Sequence, residues 1–71
     1  MTRIELERRR RRWNQTTLGY HARLGQGDIS RIERRLSVPS PRIAGRLGAV
    51  LGIAPERLLD EVPAEEAAGV R

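Results

Sequence analysis

The sequence contains no cysteine, no phenylalanine and a single histidine. Without cysteine there is no disulfide framework and no thiolate metal site, the two staples on which many very small domains depend. The lone His21 has neither a second histidine nor an acidic cluster beside it in the sequence. We therefore expect no metal, no cofactor and no enzymatic activity, because neither metal hydrolysis nor nucleophilic catalysis has a set of residues to carry it.

Long apolar segments are also missing. The longest nearly apolar run, Leu47 to Ala54, is far shorter than the roughly 20 residues that cross a bilayer. No apolar core follows the charged N-terminal residues, so we expect no signal peptide, no membrane contact and a cytoplasmic protein. With 71 residues, the chain has room for one small domain.

Charge is abundant and unevenly distributed, and every basic residue is an arginine. Residues 1–46 hold twelve arginines against four acids, a net charge of +8, whereas residues 47–71 hold two arginines against five acids, a net charge of −3. This asymmetry predicts a surface that binds a polyanion and an acidic side that faces away from it. Arginine alone fits bidentate phosphate binding, and it equally fits a GC-rich genome.

Five short helices are predicted, and no segment has the alternating pattern of a strand. They begin at about residues 3, 15, 26, 41 and 55, after capping residues or at a proline, and end at about residues 12, 22, 34, 51 and 62. Residues 1–62 are expected to form the domain. Residues 63–71 have little to bury and are expected to form an acidic, disordered tail.

The segment from Gln15 to Glu33 is the most informative. Gly19 is a small residue where a second helix could cross closely, and apolar residues at helical spacing, such as Leu18 and Ile29, face inward. Polar residues open the third helix at Gln26, where side chains could enter a major groove.

These residues resemble the phage-repressor and Cro-type helix-turn-helix family, also called the XRE family. Its pattern Q-x-x-L-A, I-S-x-I-E, a proline and L-G-[VI] appears here as Gln15–Gly19, Ile29–Glu33, Pro39 and Leu51–Ile53. The resemblance implies an all-α, compact, five-helix lambda-repressor-like domain with the helix-turn-helix at helices 2 and 3. It also implies a bacterial or phage-encoded, nucleoid-associated regulator that binds double-stranded DNA, most simply a dimeric repressor that occludes a promoter at a palindromic operator.

The third helix then becomes the recognition helix. Gln26 is expected to read adenine, and Arg31 to contact guanine or a phosphate. Asp28 could accept a hydrogen bond from cytosine or cap the helix, and Ser30 is a minor candidate for either role. Gly27 stands where the family often places a base-reading side chain.

Phosphate contacts and structural pairs complete the expected site. The resemblance assigns phosphate contacts to the start of the second helix, and Arg34 and Arg35 are expected to touch the DNA backbone, which gives the set Asn14, Gln15, Thr16, Arg34 and Arg35. It also pairs Glu33 with Arg8. Leftover apolar residues near the C-terminus predict a dimer interface at Leu58, Leu59 and Val62.

Two positions depart from the family pattern, which has glycine where Arg23 and Arg35 stand. Either these arginines adopt a left-handed backbone, at a cost of roughly 1 kcal/mol or more, or the turns are reshaped. Trp13 is expected to close the first helix onto the second.

Two other functions stay open at the level of sequence. The chain could be the antitoxin of a toxin–antitoxin pair, binding a protein partner and its own operator. Alternatively, the run from Arg8 to Arg12 could bind RNA, although five consecutive helical positions point around the whole helix.

Overall fold

Side-chain caps start three of the helices in the computed structural model, which describes residues 1–70. Thr2, Asn14 and Ser40 each accept a hydrogen bond from a backbone N–H three residues later. The third helix begins after Gly25, whose N–H donates to the Asp28 carboxylate. The resulting α-helices are α1 (Arg3–Arg10), α2 (Gln15–Ala22), α3 (Gln26–Glu33), α4 (Pro41–Leu51) and α5 (Ala64–Ala67).

A residue with a left-handed backbone follows each of the helices α1 to α4, one or two positions after the last helical residue. Gly52 ends α4, but arginines occupy the equivalent positions after α1, α2 and α3: Arg12, Arg23 and Arg35, with φ of 58°, 60° and 60°. In every case the next residue donates its N–H to the carbonyl five residues before it, which closes the helix end. The turns at Arg23 and Arg35 are therefore not reshaped, and both arginines adopt the strained backbone.

The helices enclose one core, and the described residues form a compact, mostly helical domain with a radius of gyration of 10.9 Å and no strand among residues 1–70. Trp13 packs against this core, as the sequence predicted. The fully or almost fully buried apolar side chains of the core are Ile4, Leu18, Ala22, Ile29, Ile32, Ala44, Leu47, Leu51 and Leu58. In the described part of the chain no helix, including the eleven-residue α4, has the length and apolar character needed to cross a bilayer.

The predicted fifth helix over residues 55–62 is wrong. Only Pro55–Arg57 is helical there, as a single 3₁₀ turn. The carbonyls of Leu58 and Asp60 instead accept hydrogen bonds from the first N–H groups of α1, those of Ile4 and Arg3, both at 2.9 Å. These N–H groups have no partner within their own helix, so the pairing replaces helical bonds after residue 57.

The segment after Pro63, where a disordered tail was expected, contains the short helix α5. Its Glu66 forms a bidentate ion pair with Arg3 on α1, and Arg10 lies 3.6 Å from the same carboxylate. The boundary between domain and tail at residues 62 and 63 stays a prediction.

Candidate nucleic-acid interface

The first residues of α2 and α3 lie side by side. Gln26, at the start of α3, donates from Nε2 to Oε1 of Gln15, at the start of α2, at 2.6 Å. The two helices approach closely because Gly19 has no side chain, and a Cβ at this position would lie 2.4 Å from the carbonyl oxygen of Leu24. A small residue was expected there from the sequence, and the geometry requires it.

A buried ion pair between α1 and α3 stabilises this arrangement. Arg8 Nε and Nη2 donate to the two carboxylate oxygens of Glu33 at 2.6 and 3.0 Å, the pair that the family resemblance implies. Arg8 Nη1 also donates to the carbonyl of Trp13, and Gln15 Nε2 donates to Glu33 Oε1 at 3.0 Å. A continuous chain of hydrogen bonds thus runs from Arg8 through Glu33 and Gln15 to the exposed side chain of Gln26.

The exposed side of α3 carries the predicted base-reading residues. Arg31 Nη2 donates to Asp28 Oδ1 at 2.5 Å, and the other oxygen of Asp28 accepts from the N–H of Gly25. Asp28 therefore caps the helix, as one of its two expected roles required. Arg31 Nη1 lies only 3.4 Å from where a Cβ of Gly27 would stand, so the guanidinium lies along the helix beside Gly27.

The residues predicted to contact phosphate at the start of α2 differ in whether their side chains already have hydrogen-bond partners. The Asn14 carboxamide oxygen accepts hydrogen bonds from the N–H and the hydroxyl of Thr17, at 2.8 and 3.0 Å. Gln15 is engaged by Glu33 and Gln26, whereas Thr16 is exposed. The N–H groups at a helix N-terminus favour an anion, and at α2 the Asn14 side chain already accepts from the N–H of Thr17.

At the other end of α3 the arginines diverge. Arg34 is exposed and makes only a long bond, 3.4 Å, to the carbonyl of Ser30. Arg35 turns toward the C-terminal segment, where it donates to the carbonyl of Leu59 at 3.1 Å and to Glu61 at 2.8 Å. The structure places Arg34 on the surface of α3 and Arg35 in a contact with Glu61.

The acidic C-terminal segment does not simply face away from the basic residues. Two of its carboxylates pair with arginines of residues 1–46, Glu61 with Arg35 and Glu66 with Arg3. The hydrogen bond from Arg3 lowers the pKa of Glu66, and hydrogen bonds from the N-terminal ammonium group and then Arg35 lower the pKa of Glu61. These ion pairs neutralise the positive charges of Arg3 and Arg35.

The arginine run of α1 is divided among several partners. Arg8 is buried, Arg9 pairs with Glu5 at 2.7 Å, and Arg10 pairs with Glu7 at 2.9 Å. Arg11 donates to the carbonyl of Leu51 at the end of α4. The run is therefore no continuous basic stripe of the kind that the RNA-binding interpretation needs.

The predicted dimer interface needs correction. Leu58 and Val62 are 1% and 3% exposed, and Leu59 is half-buried against the core. The prediction assumed that one small core could not cover these side chains. The pairing of residues 58–62 with the start of α1 brings Leu58 and Val62 inside, so they cannot form an exposed surface.

One contributor to the α2–α3 turn was not foreseen. Arg46 on α4 donates from Nε to the carbonyl of Ala22 at 3.0 Å and from Nη2 to that of Arg23 at 3.3 Å. It thereby satisfies the last carbonyls of α2 and supports the left-handed residue. No local signal in the sequence identifies these contacts, because residues 23 and 24 positions apart are brought together only by the fold.

Within residues 1–70, no three or more histidine, cysteine, aspartate or glutamate side chains come together as a metal site would require. Comparisons of the chain with protein-family models, curated proteins and solved structures found no match. The resemblance to the phage-repressor family therefore stays a prediction.

Proposed function

We propose that the chain is a sequence-specific duplex DNA-binding protein in which α2 and α3 act as a helix-turn-helix. The observation that carries this proposal is the hydrogen-bonded pair Gln15–Gln26. It joins the N-termini of the two helices and holds a carboxamide at the exposed start of α3. A side chain held in this way suits the reading of a base edge, because bidentate contacts require fixed geometry.

Two residues provide base recognition in this proposal. The Gln26 carboxamide matches adenine, because its Oε1 can accept a hydrogen bond from N6–H while its Nε2 donates to N7. Arg31, five residues further along α3, offers the forked donors that suit guanine O6 and N7, and Asp28 restrains its guanidinium. Ser30 is half-buried and contributes less surface.

Phosphate binding supplies most of the affinity. The N-terminus of α2 presents backbone N–H groups with Thr16 exposed beside them, and Arg34 lies at the other end of α3. The net charge of +5 favours binding to a polyanion such as DNA. Such contacts fix the position of α3 in the groove and carry no sequence information.

Repression follows from occupancy of a promoter. Two copies on a palindromic operator would place their α3 helices in successive major grooves, about 34 Å apart. One copy with two base-reading residues gives little discrimination, which is why the proposal includes a dimer. Leu58 and Val62 are excluded from its interface, since both are buried within the monomer.

Footprinting on the DNA upstream of its own gene, at two salt concentrations, tests the proposal. We expect a protected palindrome whose affinity falls steeply with salt. Gln26→Ala and Arg31→Ala should each reduce discrimination against the wrong base by about 1–3 kcal/mol. Arg57→Ala is the matched control, since Arg57 is exposed on the 3₁₀ turn and pairs with Asp60.

Three results would contradict the proposal. Protection without sequence preference would leave a non-specific basic protein. Unchanged sequence specificity in both Gln26→Ala and Arg31→Ala would show that these α3 side chains do not read the bases. Preference for an RNA hairpin over duplex DNA would favour the RNA-binding alternative, and a toxin that co-purifies with the chain would favour the antitoxin alternative.

A further inference from the structure

The arginines at the C-terminal end of α1 line a feature that the proposed interface does not use. Arg9, Arg10 and Arg12, together with Gly69 and Val70, surround an open cleft of about 760 Å³. Neither Gly69 nor Val70 has a charged side chain, so among residues 1–70 the ionised side chains that line the cleft are guanidinium groups. A cleft with this lining is suited to an anion.

The donors around the cleft are incompletely satisfied within residues 1–70. Arg9 pairs with Glu5 through Nη2, but its buried Nε has no hydrogen-bond partner. Arg10 shares Glu7 and Glu66 with other arginines. No carboxylate among the described residues pairs with Arg12, whose side chain is exposed. The exposed guanidinium of Arg12 is therefore the donor group that is most accessible to an anionic ligand.

Arg12 follows the end of α1 with a left-handed backbone, as Arg23 and Arg35 do after α2 and α3. Its φ of 58° lies in the left-handed region, where glycine is favoured and a long side chain is strained. Arg12 also lies only two residues before Asn14, which caps α2. Arg12 is thus the lining residue of the cleft that is nearest in sequence to the start of α2.

We propose that Arg12, with Arg9 and Arg10, binds a backbone phosphate of the same duplex whose bases face α3. This inference rests on the proposed function and extends its footprint beyond α2 and α3. Guanidinium forks match the paired oxygens of a phosphate and would use the donor capacity that Arg9 and Arg12 leave open. The contact would add affinity without sequence preference.

Arg12→Gly separates this role from a structural one. The substitution removes the guanidinium and also relieves the left-handed backbone, so we expect a higher Tm together with weaker DNA binding. Affinity should fall by a similar factor on operator and non-operator duplexes. The slope of log K against log salt concentration should decrease in magnitude by about 1. Arg57→Gly, the matched control, should leave this slope unchanged.

The outcomes distinguish the two proposals. If Arg12→Gly leaves both affinity and slope at the wild-type values, the phosphate site is refuted while the base-reading function can stand. If the wild-type chain shows no sequence preference, the proposed function fails. A reduced slope for Arg12→Gly on non-specific duplex would then still support the cleft as a phosphate site.

Discussion

Removal of one partner from the buried Arg8–Glu33 pair should destabilise the domain severely. In Glu33→Gln the side chain keeps its shape but loses its charge, so the Arg8 guanidinium, 8% exposed, is left without a counter-ion. Breaking such a pair costs about 3–5 kcal/mol. A chain of 71 residues has a total stability of roughly 4–11 kcal/mol at about 0.05–0.15 kcal/mol per residue. We therefore expect a loss of roughly a quarter or more of the free energy of unfolding.

Urea unfolding followed by the fluorescence of Trp13, the only tryptophan, measures this loss. At about 4–8 °C per kcal/mol for a domain of this size, Tm should fall by about 12 °C or more. The matched control is Glu5→Gln, which removes the more exposed pair with Arg9 and should cost at most about 1 kcal/mol.

A second variant tests the cause. The double substitution Arg8→Met with Glu33→Leu removes both charges and should recover most of the stability, because no charge is then buried alone. Two results would refute the reasoning: a Glu33→Gln loss no larger than that of Glu5→Gln, or a double variant as unstable as the single one.

Three further predictions concern backbone fit and charge. Gly19→Ala should destabilise the domain by roughly 1–3 kcal/mol, because its Cβ would meet a backbone carbonyl at 2.4 Å. Gly45→Ala should stabilise the domain by about 0.5–1 kcal/mol, because its Cβ would have no other atom within 4 Å. Urea unfolding measures both changes. Arg23→Gly should raise Tm in thermal unfolding, since it relieves a left-handed backbone of φ 60°, and a lower Tm would show that the side chain stabilises the turn. The lowered pKa of Glu66 means that its contribution to stability is complete above the unfolded value near 4.5 and is lost as the pH falls through its folded pKa. Glu66→Gln should therefore flatten the fall of Tm in acid, and an unchanged pH profile would contradict the ion pair with α1.

Local signals were sufficient to predict most helix starts. Thr2, Asn14 and Ser40 cap helices because a side-chain oxygen reaches an N–H three residues away, an interaction contained in four residues. The ends of α2 and α4 also fall where the sequence placed them. The pattern of inward apolar residues then led to the correct core for α2 to α4.

Contacts between distant segments could not be predicted in this way. The spacing of Leu58, Leu59 and Val62 fits a helix, but it contains no information on the α1 N–H groups that bind the carbonyls of residues 58 and 60. The partners of the arginines likewise depend on contacts between distant segments of the chain. Whether Arg35 reaches a phosphate or Glu61 depends on where the C-terminal segment lies, and only the tertiary structure determines that.

The hydrogen-bonded chain from Arg8 to Gln26 also has an entropic consequence. A free glutamine on a surface samples many rotamers and loses that freedom when it binds a ligand, at about 0.5–1.5 kcal/mol per side chain. Here Gln15 already restrains Gln26, and the buried Glu33 restrains Gln15. Part of the entropy loss thus occurs when the domain folds, so any ligand that accepts Gln26 in this rotamer binds at a lower entropic cost.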